Sequence, residues 1–286
     1  MRANVHDYDL ISAPTLAATL AMLADPACTP IAGGTELMVA LGAGRLAQRR
    51  LLSINHLREL RFIDVTPDTV TIGSGATFTD IRHSEVIASD LPLLAQAASW
   101  TGSIANQNRG TLGGNIVNAS PAADSPPALL AYEANLTLIS AAGTRSLPYS
   151  TFHLGYKRTA LVQGELLHSV TIKRNFAGHI SYARKVGTRN AQAISKIALA
   201  CLARLSPANM IEDIRIGAAS LTDRPIRCAA AEATLLHQPL THATIAAARV
   251  ALASEARPID DIRSTALYRA AVAGNLLEEF LHQLTG

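Results

Sequence analysis

The chain has 286 residues, 49% of them hydrophobic and 16% charged, with 25 Lys and Arg against 22 Asp and Glu for a net charge of +3. That much apolar material fills one large core or two ordinary ones, and so small and scattered a basic excess gives no support for a nucleic-acid surface. Cys28, Cys201 and Cys228 lie far apart with no CxxC pair, which excludes locally built iron–sulfur and zinc sites; with no signal-peptide core and no apolar run of membrane length, a cytoplasmic protein is expected.

From the N-terminus, "SAPTLAATLAML" predicts a helix capped by Ser12, with Pro14 near the first turn and Leu16, Leu20 and Leu23 spaced along one face. "CTPIAGGTEL" predicts a short strand entering a glycine turn, with a second helix opening at Glu36. "RRLLSINHL" reads as a buried strand. A second unit begins near Arg61. "RFIDVTPDTVTIGSGA" is a hairpin about Pro67 and Asp68, and "TDIRHSEVIASDLPLLAQAASWTG" is two helical pieces divided at Pro92. In "DSPPALLAYEA", Asp124 or Ser125 caps a helix with prolines in its first turn. "NLTLISAAGTRSLPY" is a hairpin about Gly143 and "GELLHSVTIKR" another strand. The stretch "NFAGH" (residues 175–179) separates two blocks, giving domains at 1–176 and 177–286. Beyond it, "SKIALACLARL" and "EDIRIGAASL" are strands of an antiparallel sheet. The Ala- and Leu-rich tail from Cys228 forms three helices with breaks near Pro239 and Pro258.

Two segments share one design. "AGGTE" (Ala32, Gly33, Gly34, Thr35, Glu36) and "TLGGN" (Thr111, Leu112, Gly113, Gly114, Asn115) each set a Gly-Gly pair between an apolar, strand-like run and small polar residues. Paired glycines reach positive φ and clear away the Cβ atoms that would block a ligand. Their N–H groups can converge on an anion, and Thr35, Thr111 and Asn115 add side-chain hydrogen bonds. Brought together, two such turns would hold two phosphates. Taken singly, either is an ordinary tight connection. Neither matches a Rossmann GxGxxG or a Walker loop, and "IGSGAT" has GxG without the third glycine. The nine histidines show no HxxxH or HxH pair, so no metal site is expected. His56 and His153 read as surface or turn residues, and Trp100 as a packing residue.

Several stretches carry a resemblance: "PIAGGTEL", "TIGSGATFTDI", "NRGTLGGNIVNASPAADSPPALLAYEANLTLISAAGTR", "FHLGYKRTAL", "GELLHSVTI" and "ARKVGTRNAQAISKIALA". In content and order they resemble the FAD-binding medium subunit of the xanthine dehydrogenase and carbon monoxide dehydrogenase family of molybdenum hydroxylases. "KVGTRNAQAISK" leans toward the xanthine dehydrogenase-like branch. The resemblance implies an α+β chain: an FAD-binding domain of vanillyl-alcohol-oxidase (PCMH) type with two subdomains, then a small antiparallel sheet with a three-helix C-terminal domain. It implies that Ala32, Gly33, Gly34, Thr35 and Glu36 line the FAD pyrophosphate, and that Thr111, Leu112, Gly113, Gly114 and Asn115 form a second phosphate-contacting turn. Asp124 would bond a polar part of the cofactor; from local sequence alone it reads equally as a helix cap. Lys185 would stand near the flavin, or else be a solvated surface lysine. "RNAQAIS" lacks the aromatic that some relatives stack on the ring.

The implied function is electron transfer with no acid–base pair of the chain's own. Electrons would come from [2Fe-2S] clusters on a small partner subunit, serving a molybdopterin large subunit, and pass through FAD to NAD or another acceptor, in a dimer of heterotrimers. Two other readings stay open: a stand-alone flavin oxidoreductase of the same fold, and a non-catalytic nucleotide-binding or assembly module.

Overall fold

The computed structural model describes residues 4–190 and 192–284. Ala191, inside the aromatic-free "RNAQAIS" stretch, and the last two residues of the helical tail lie outside the described residues.

The first unit is a parallel sheet of β1 (Asp9–Ser12), β3 (Arg50–Ser53) and β2 (Cys28–Ile31) in that order. Parallel neighbours need crossovers, and α1 (Leu16–Leu23) and α2 (Leu37–Gly42) supply them. The cap of α1 is Thr15, whose hydroxyl accepts from the Ala18 N–H at 3.2 Å; Ser12 instead pairs with Ser53 in the sheet. The expected Ser12 cap fails because Ala13 precedes Pro14, and a residue before proline is pushed out of the helical region. Leu23, Cys28, Leu52, Ile54, Leu57 and Leu60 form this unit's core, closed by Ile139 and Leu166 from the next.

The second unit runs β4 (Ile63–Val65), β5 (Thr69–Gly73), α3 (Phe78–Arg82), α4 (Glu85–Asp90), α5 (Pro92–Trp100), α6 (Ile104–Gln107), α7 (Leu112–Val117), α8 (Pro126–Ala131), β6 (Asn135–Ser140), β7 (Gly143–Pro148), β8 (His153–Gly155), β9 (Arg158–Thr159) and β10 (Leu166–Lys173). Its antiparallel sheet has the order β4-β5-β10-β6-β7, with both expected hairpins present. Alternate strand residues (Val70 and Ile72, Leu136 and Leu138, Val170 and Ile172) meet Phe78, Ile81, Ile87, Leu94, Leu112 and Leu129 in one core. The helical stretch before Thr101 breaks into three pieces rather than two. Thr77 and Asp80 close a capping box that starts α3, and Ser84 then caps α4 separately through the Ile87 N–H.

After the loop at 174–179 comes a second antiparallel sheet of β11 (Ile180–Val186), β12 (Ile197–Leu205), β13 (Ile211–Ala219) and β14 (Ile226–Arg227). It is followed by α9 (Ala229–Leu235), α10 (His242–Glu255) and α11 (Ala266–Gln283), the three expected tail helices. β12 is apolar on both faces because both are covered. Leu199, Cys201 and Ala203 pack with Leu277 and Phe280 of α11, whereas Ala200 and Leu202 join the core of the second unit. Tyr182 of β11 turns to the helix side, against Phe280 at 5.5 Å between ring centres. All three cysteines are buried free thiols. Among the described residues no helix is long and apolar enough to cross a membrane.

His153 differs from its expected surface position. It starts β8 at 6% exposure, its Nε2–H donates to the Ile116 carbonyl at 2.9 Å, and the Tyr149 ring stands edge-on at 5.3 Å. Burial, with a smaller contribution from Arg224, lowers its pKa from the ordinary 6.5. The unfolded chain therefore takes a proton below about pH 6.5 that the folded chain refuses. Stability from this residue is complete above that pH and is lost as the pH falls toward the lowered folded value. His153→Gln should flatten the dependence of Tm on pH between neutral and mildly acidic buffers. A variant with the wild-type slope would show that His153 does not carry it.

Candidate functional site

A cleft of about 540 Å³ opens between the small parallel sheet and the second unit. Three glycine-containing segments meet along it: residues 32–36 after β2, residues 73–77 after β5, and residues 110–115 at the start of α7. Backbone hydrogen bonds knit the last two together. Phe78 N–H donates to Gly110 O at 3.1 Å, Leu112 N–H to Ala76 O at 2.9 Å and Gly113 N–H to Ser74 O at 2.9 Å. Gly33 of the first segment is pressed onto the backbone of Arg109 and Gly110, at the start of the third, with no side chain between. A Cβ on Gly33 would stand 1.8 Å from the Arg109 carbonyl oxygen, and one on Gly113 would stand 2.5 Å from Ser74 Cβ. Part of the bareness of these turns therefore serves backbone packing rather than ligand access.

The two GG turns differ in the donors they leave open. In TLGGN every amide from 112 to 115 is taken: Leu112 and Gly113 as above, Gly114 by the Thr111 hydroxyl at 3.0 Å, and Asn115 by the Thr111 carbonyl at 3.0 Å. The segment is the capped first turn of α7, preceded by α6 rather than by the expected strand-like run, so it cannot act as the second amide nest. It offers the cleft Gly114, where a Cβ would meet within 4 Å only the Thr111 hydroxyl at 3.1 Å, and the polar side chains of Thr111 and Asn115. In AGGTE, by contrast, the amides of Gly33, Gly34, Thr35 and Glu36 have no acceptor among the described residues. Gly34 sits at φ 74°, the left-handed region that a side chain resists. Open amides in succession form a cradle for an anion.

Ala32, Gly33, Gly34, Thr35, Glu36, Thr111, Gly113, Gly114 and Asn115 all line the cleft. Leu112 does not: fully buried, it packs into the core of the second unit. Asp124 and Lys185 come together with each other but not in the cleft wall. Lys185 Nζ donates to Asp124 Oδ2 at 2.7 Å and to the Trp100 carbonyl at 3.1 Å, and the Ser195 hydroxyl donates to Asp124 Oδ1 at 2.7 Å. Both charged side chains are only 10% exposed. Burial pushes the Asp124 carboxyl above the ordinary aspartate value, and Lys185 and Ser195 pull it back. Asp124 caps no helix, and Ser125, at the cap position of α8, makes no side-chain cap bond. Ser125 instead donates to Asn115 Oδ1 at 2.6 Å, so the buried ion pair stands one residue behind a cleft-lining amide.

Sequence reasoning missed several lining residues. Ser74 and Gly75 belong to "IGSGAT", a visible signal that lacked the third glycine of the dinucleotide motif. Leu57, Leu60, Leu161, Leu166 and Leu167 supply an apolar wall from three separate segments, and no local pattern marks them. An extended cleft with acceptor-free amides at one turn, hydroxyl and amide side chains alongside and an apolar wall fits FAD, which joins a diphosphate to a large flat ring.

Comparisons with known proteins agree with that chemistry. Residues 6–173 match the family described as the FAD binding domain in molybdopterin dehydrogenase, and residues 182–284 match the carbon monoxide dehydrogenase flavoprotein C-terminal domain. The chain is 33% identical over 260 residues to the xanthine dehydrogenase FAD-binding subunit of Escherichia coli O157:H7, covering 90% of this chain and 89% of that one. It is 30% identical over 243 residues to the glyceraldehyde dehydrogenase medium chain of Sulfolobus acidocaldarius, covering 85% of each. Among solved structures, carbon monoxide dehydrogenase from Hydrogenophaga pseudoflava superimposes with a TM-score of 0.91 at 28% identity over 95% of both chains.

Two substitutions separate the packing role of these glycines from their access role. Gly33→Ala should abolish folding or lower Tm sharply, because the Arg109 carbonyl must move, whereas Gly114→Ala should leave Tm near the wild-type value; equal Tm losses would contradict the placement. For the buried pair, Lys185→Met should destabilise by about 3–5 kcal/mol in denaturant unfolding by stranding a buried carboxylate. The double variant with Asp124→Asn should recover part of that loss. A Lys185→Met chain of unchanged stability would show the pair to be hydrated.

Proposed function

This chain belongs to the family of FAD-binding medium subunits of xanthine dehydrogenase and carbon monoxide dehydrogenase, and we propose that it is the electron-transfer subunit of a multi-subunit molybdenum hydroxylase of the xanthine dehydrogenase-like branch. The observation that carries the reading is the run of acceptor-free amides at residues 33–36, opening on a cleft with an apolar wall. In this reading FAD supplies the redox chemistry, relaying electrons from the [2Fe-2S] clusters of a small partner chain to NAD or another acceptor while a molybdopterin-bearing large chain hydroxylates the substrate.

The chain's own residues bind and orient. The amides of Gly33, Gly34, Thr35 and Glu36 donate to the diphosphate, and their dipoles are fixed before the ligand arrives, so little reorganisation is spent on binding. Thr111, Gly113, Gly114 and Asn115 form the facing wall. Ala32, together with Leu57, Leu60, Leu161, Leu166 and Leu167, excludes water from the ring. Asp124 and Lys185 support rather than line: through Ser125 they fix the rotamer of Asn115. The domains in this reading are 1–176 for FAD and 177–286 for the second sheet and its helices.

Several relatives carry names that imply further chains, such as the medium chains of glyceraldehyde and carbon monoxide dehydrogenases. We read the assembly as a dimer of heterotrimers. The purified chain should be yellow, or become so when incubated with FAD, with a flavin absorbance band. A colourless chain that stays colourless would overturn the reading. Purified from its own host, the chain should bring along a [2Fe-2S] and a molybdopterin subunit; isolation of the chain alone would favour a stand-alone flavin oxidoreductase. Gly114→Val should lower flavin content at least tenfold while the variant stays folded, as read by absorbance per mole of protein. Full flavin content in that variant would place the cofactor elsewhere.

A further inference from the structure

The charged residues lining the cleft are Glu36, Arg61 and Glu165. Two of these are tied down. Arg61 makes two 2.9 Å bonds to Asp80, and Glu165 makes a similar fork with Arg145, whose guanidinium holds the Glu165 carboxyl below the ordinary glutamate value. Glu36 is different. Its carboxylate belongs to the same turn as the acceptor-free amides, where a diphosphate would meet a like charge. The lining of the cleft thus supplies one charge that no short hydrogen bond ties down, and it has the wrong sign for the ligand.

A correcting charge comes from a distant segment. Lys157 lies in the turn between β8 and β9, 121 residues beyond Glu36 in sequence. Its Nζ donates to Asn118 Oδ1 at 2.6 Å and lies 3.4 Å from Glu36 Oε1. Both of those partners line the cleft. The hairpin that carries Lys157 is pinned in place. Its backbone takes φ 54°, and its N–H donates to the Ala119 carbonyl at 3.3 Å, just past the end of α7. An ammonium has three donors. Asn118 holds one closely, whereas the Glu36 contact is long and solvent-exposed, with side chains 37% and 61% exposed. Such a contact contributes little and exchanges readily.

We propose that Lys157 is a further cofactor-binding residue, held at the cleft rim by Asn118, that exchanges Glu36 for the FAD diphosphate when the cofactor enters. The assignment rests on the FAD reading above. The ammonium's attraction for the diphosphate offsets the repulsion from Glu36 and adds an ionic contact to the backbone cradle. It also assigns a function to the "GYKR" segment: the hairpin serves as an arm that carries a positive charge across from the second unit to the first.

The test uses the full chain freed of flavin and titrated with FAD and with ADP, which shares the diphosphate but lacks the flavin, at low and high ionic strength. Lys157→Met should raise both dissociation constants about tenfold and flatten their rise with salt. Lys157→Arg should recover most of the affinity, and Glu36→Gln should tighten both ligands. The Tm of the ligand-free chain should stay unchanged throughout, since an exposed pair contributes little to folding. A folded Lys157→Met chain with wild-type affinity and salt slope would overturn this inference and leave the FAD reading intact. Should Lys157→Met fail to fold, Glu36→Gln decides: unchanged ADP affinity in that variant overturns the exchange. A wild-type chain that binds neither ligand would overturn both.

Discussion

The architecture depends on a contact with no side chain in it. Gly33 lies so close to the Arg109 carbonyl that a single methyl group would overlap it. This contact docks the turn after β2 onto the approach to α7, and so sets the small parallel sheet against the second unit. Glycine at such a position costs backbone entropy, on the order of 0.5–1 kcal/mol relative to alanine in regular structure. The close approach it permits brings three turns from three separate strands and helices to one cleft. A wider contact would separate the amides at 33–36 from the wall formed by Thr111, Gly114 and Asn115.

Within that frame the two GG turns divide the work. TLGGN uses its amides to begin a helix and to bond the turn after β5, so it is rigid, satisfied structure. AGGTE, half-buried to exposed at the cleft, leaves its amides without acceptors among the described residues, open to solvent or to an anion. Two turns with nearly the same composition thus end in opposite electrostatic states, because one has a hydroxyl and three carbonyls within reach and the other, among the described residues, has none. Charge follows the same division. Arg61 and Glu165 are neutralised by neighbours outside the cleft, which leaves Glu36 and its partner Lys157 at the rim.

The C-terminal sheet packs against the second unit as much as against its own helices. β12 contributes alternate residues to two cores, and Gly217 of β13 approaches α8 so closely that a Cβ would stand 2.1 Å from the Pro127 carbonyl. Lys185 of β11 then reaches Asp124 just before α8, with Ser195 closing the carboxylate from the other side. A buried ion pair is a weak source of net stability, since taking two ions out of water costs several kcal/mol each. Its consequence is positional: removing either partner strands the other, so the register between the second sheet and the Asn115 side chain is held.

Local chemistry wrote much of this protein into its sequence. The alternation in residues 69–73 and 166–173, the glycine at 143 and the prolines at 126 and 127 each allow one backbone solution, because side-chain period and φ restriction act within a few residues. The GG pairs also marked the cleft, since only glycine tolerates such approach and such φ. What the sequence could not decide were matters of who stands opposite whom. Whether an amide in a GG turn is open or spent depends on Ser74 and Ala76, about forty residues away. Asp124 read as a cofactor contact or a helix cap, yet its partners arrive from residues 185 and 195. Leu112 sat inside a binding motif but faces the core, and the leucines of the cleft wall came from segments with no common pattern. Sequence fixes backbone preference through nearest-neighbour sterics; the pairing of donors, charges and apolar faces across long loops is settled only when the chain closes on itself.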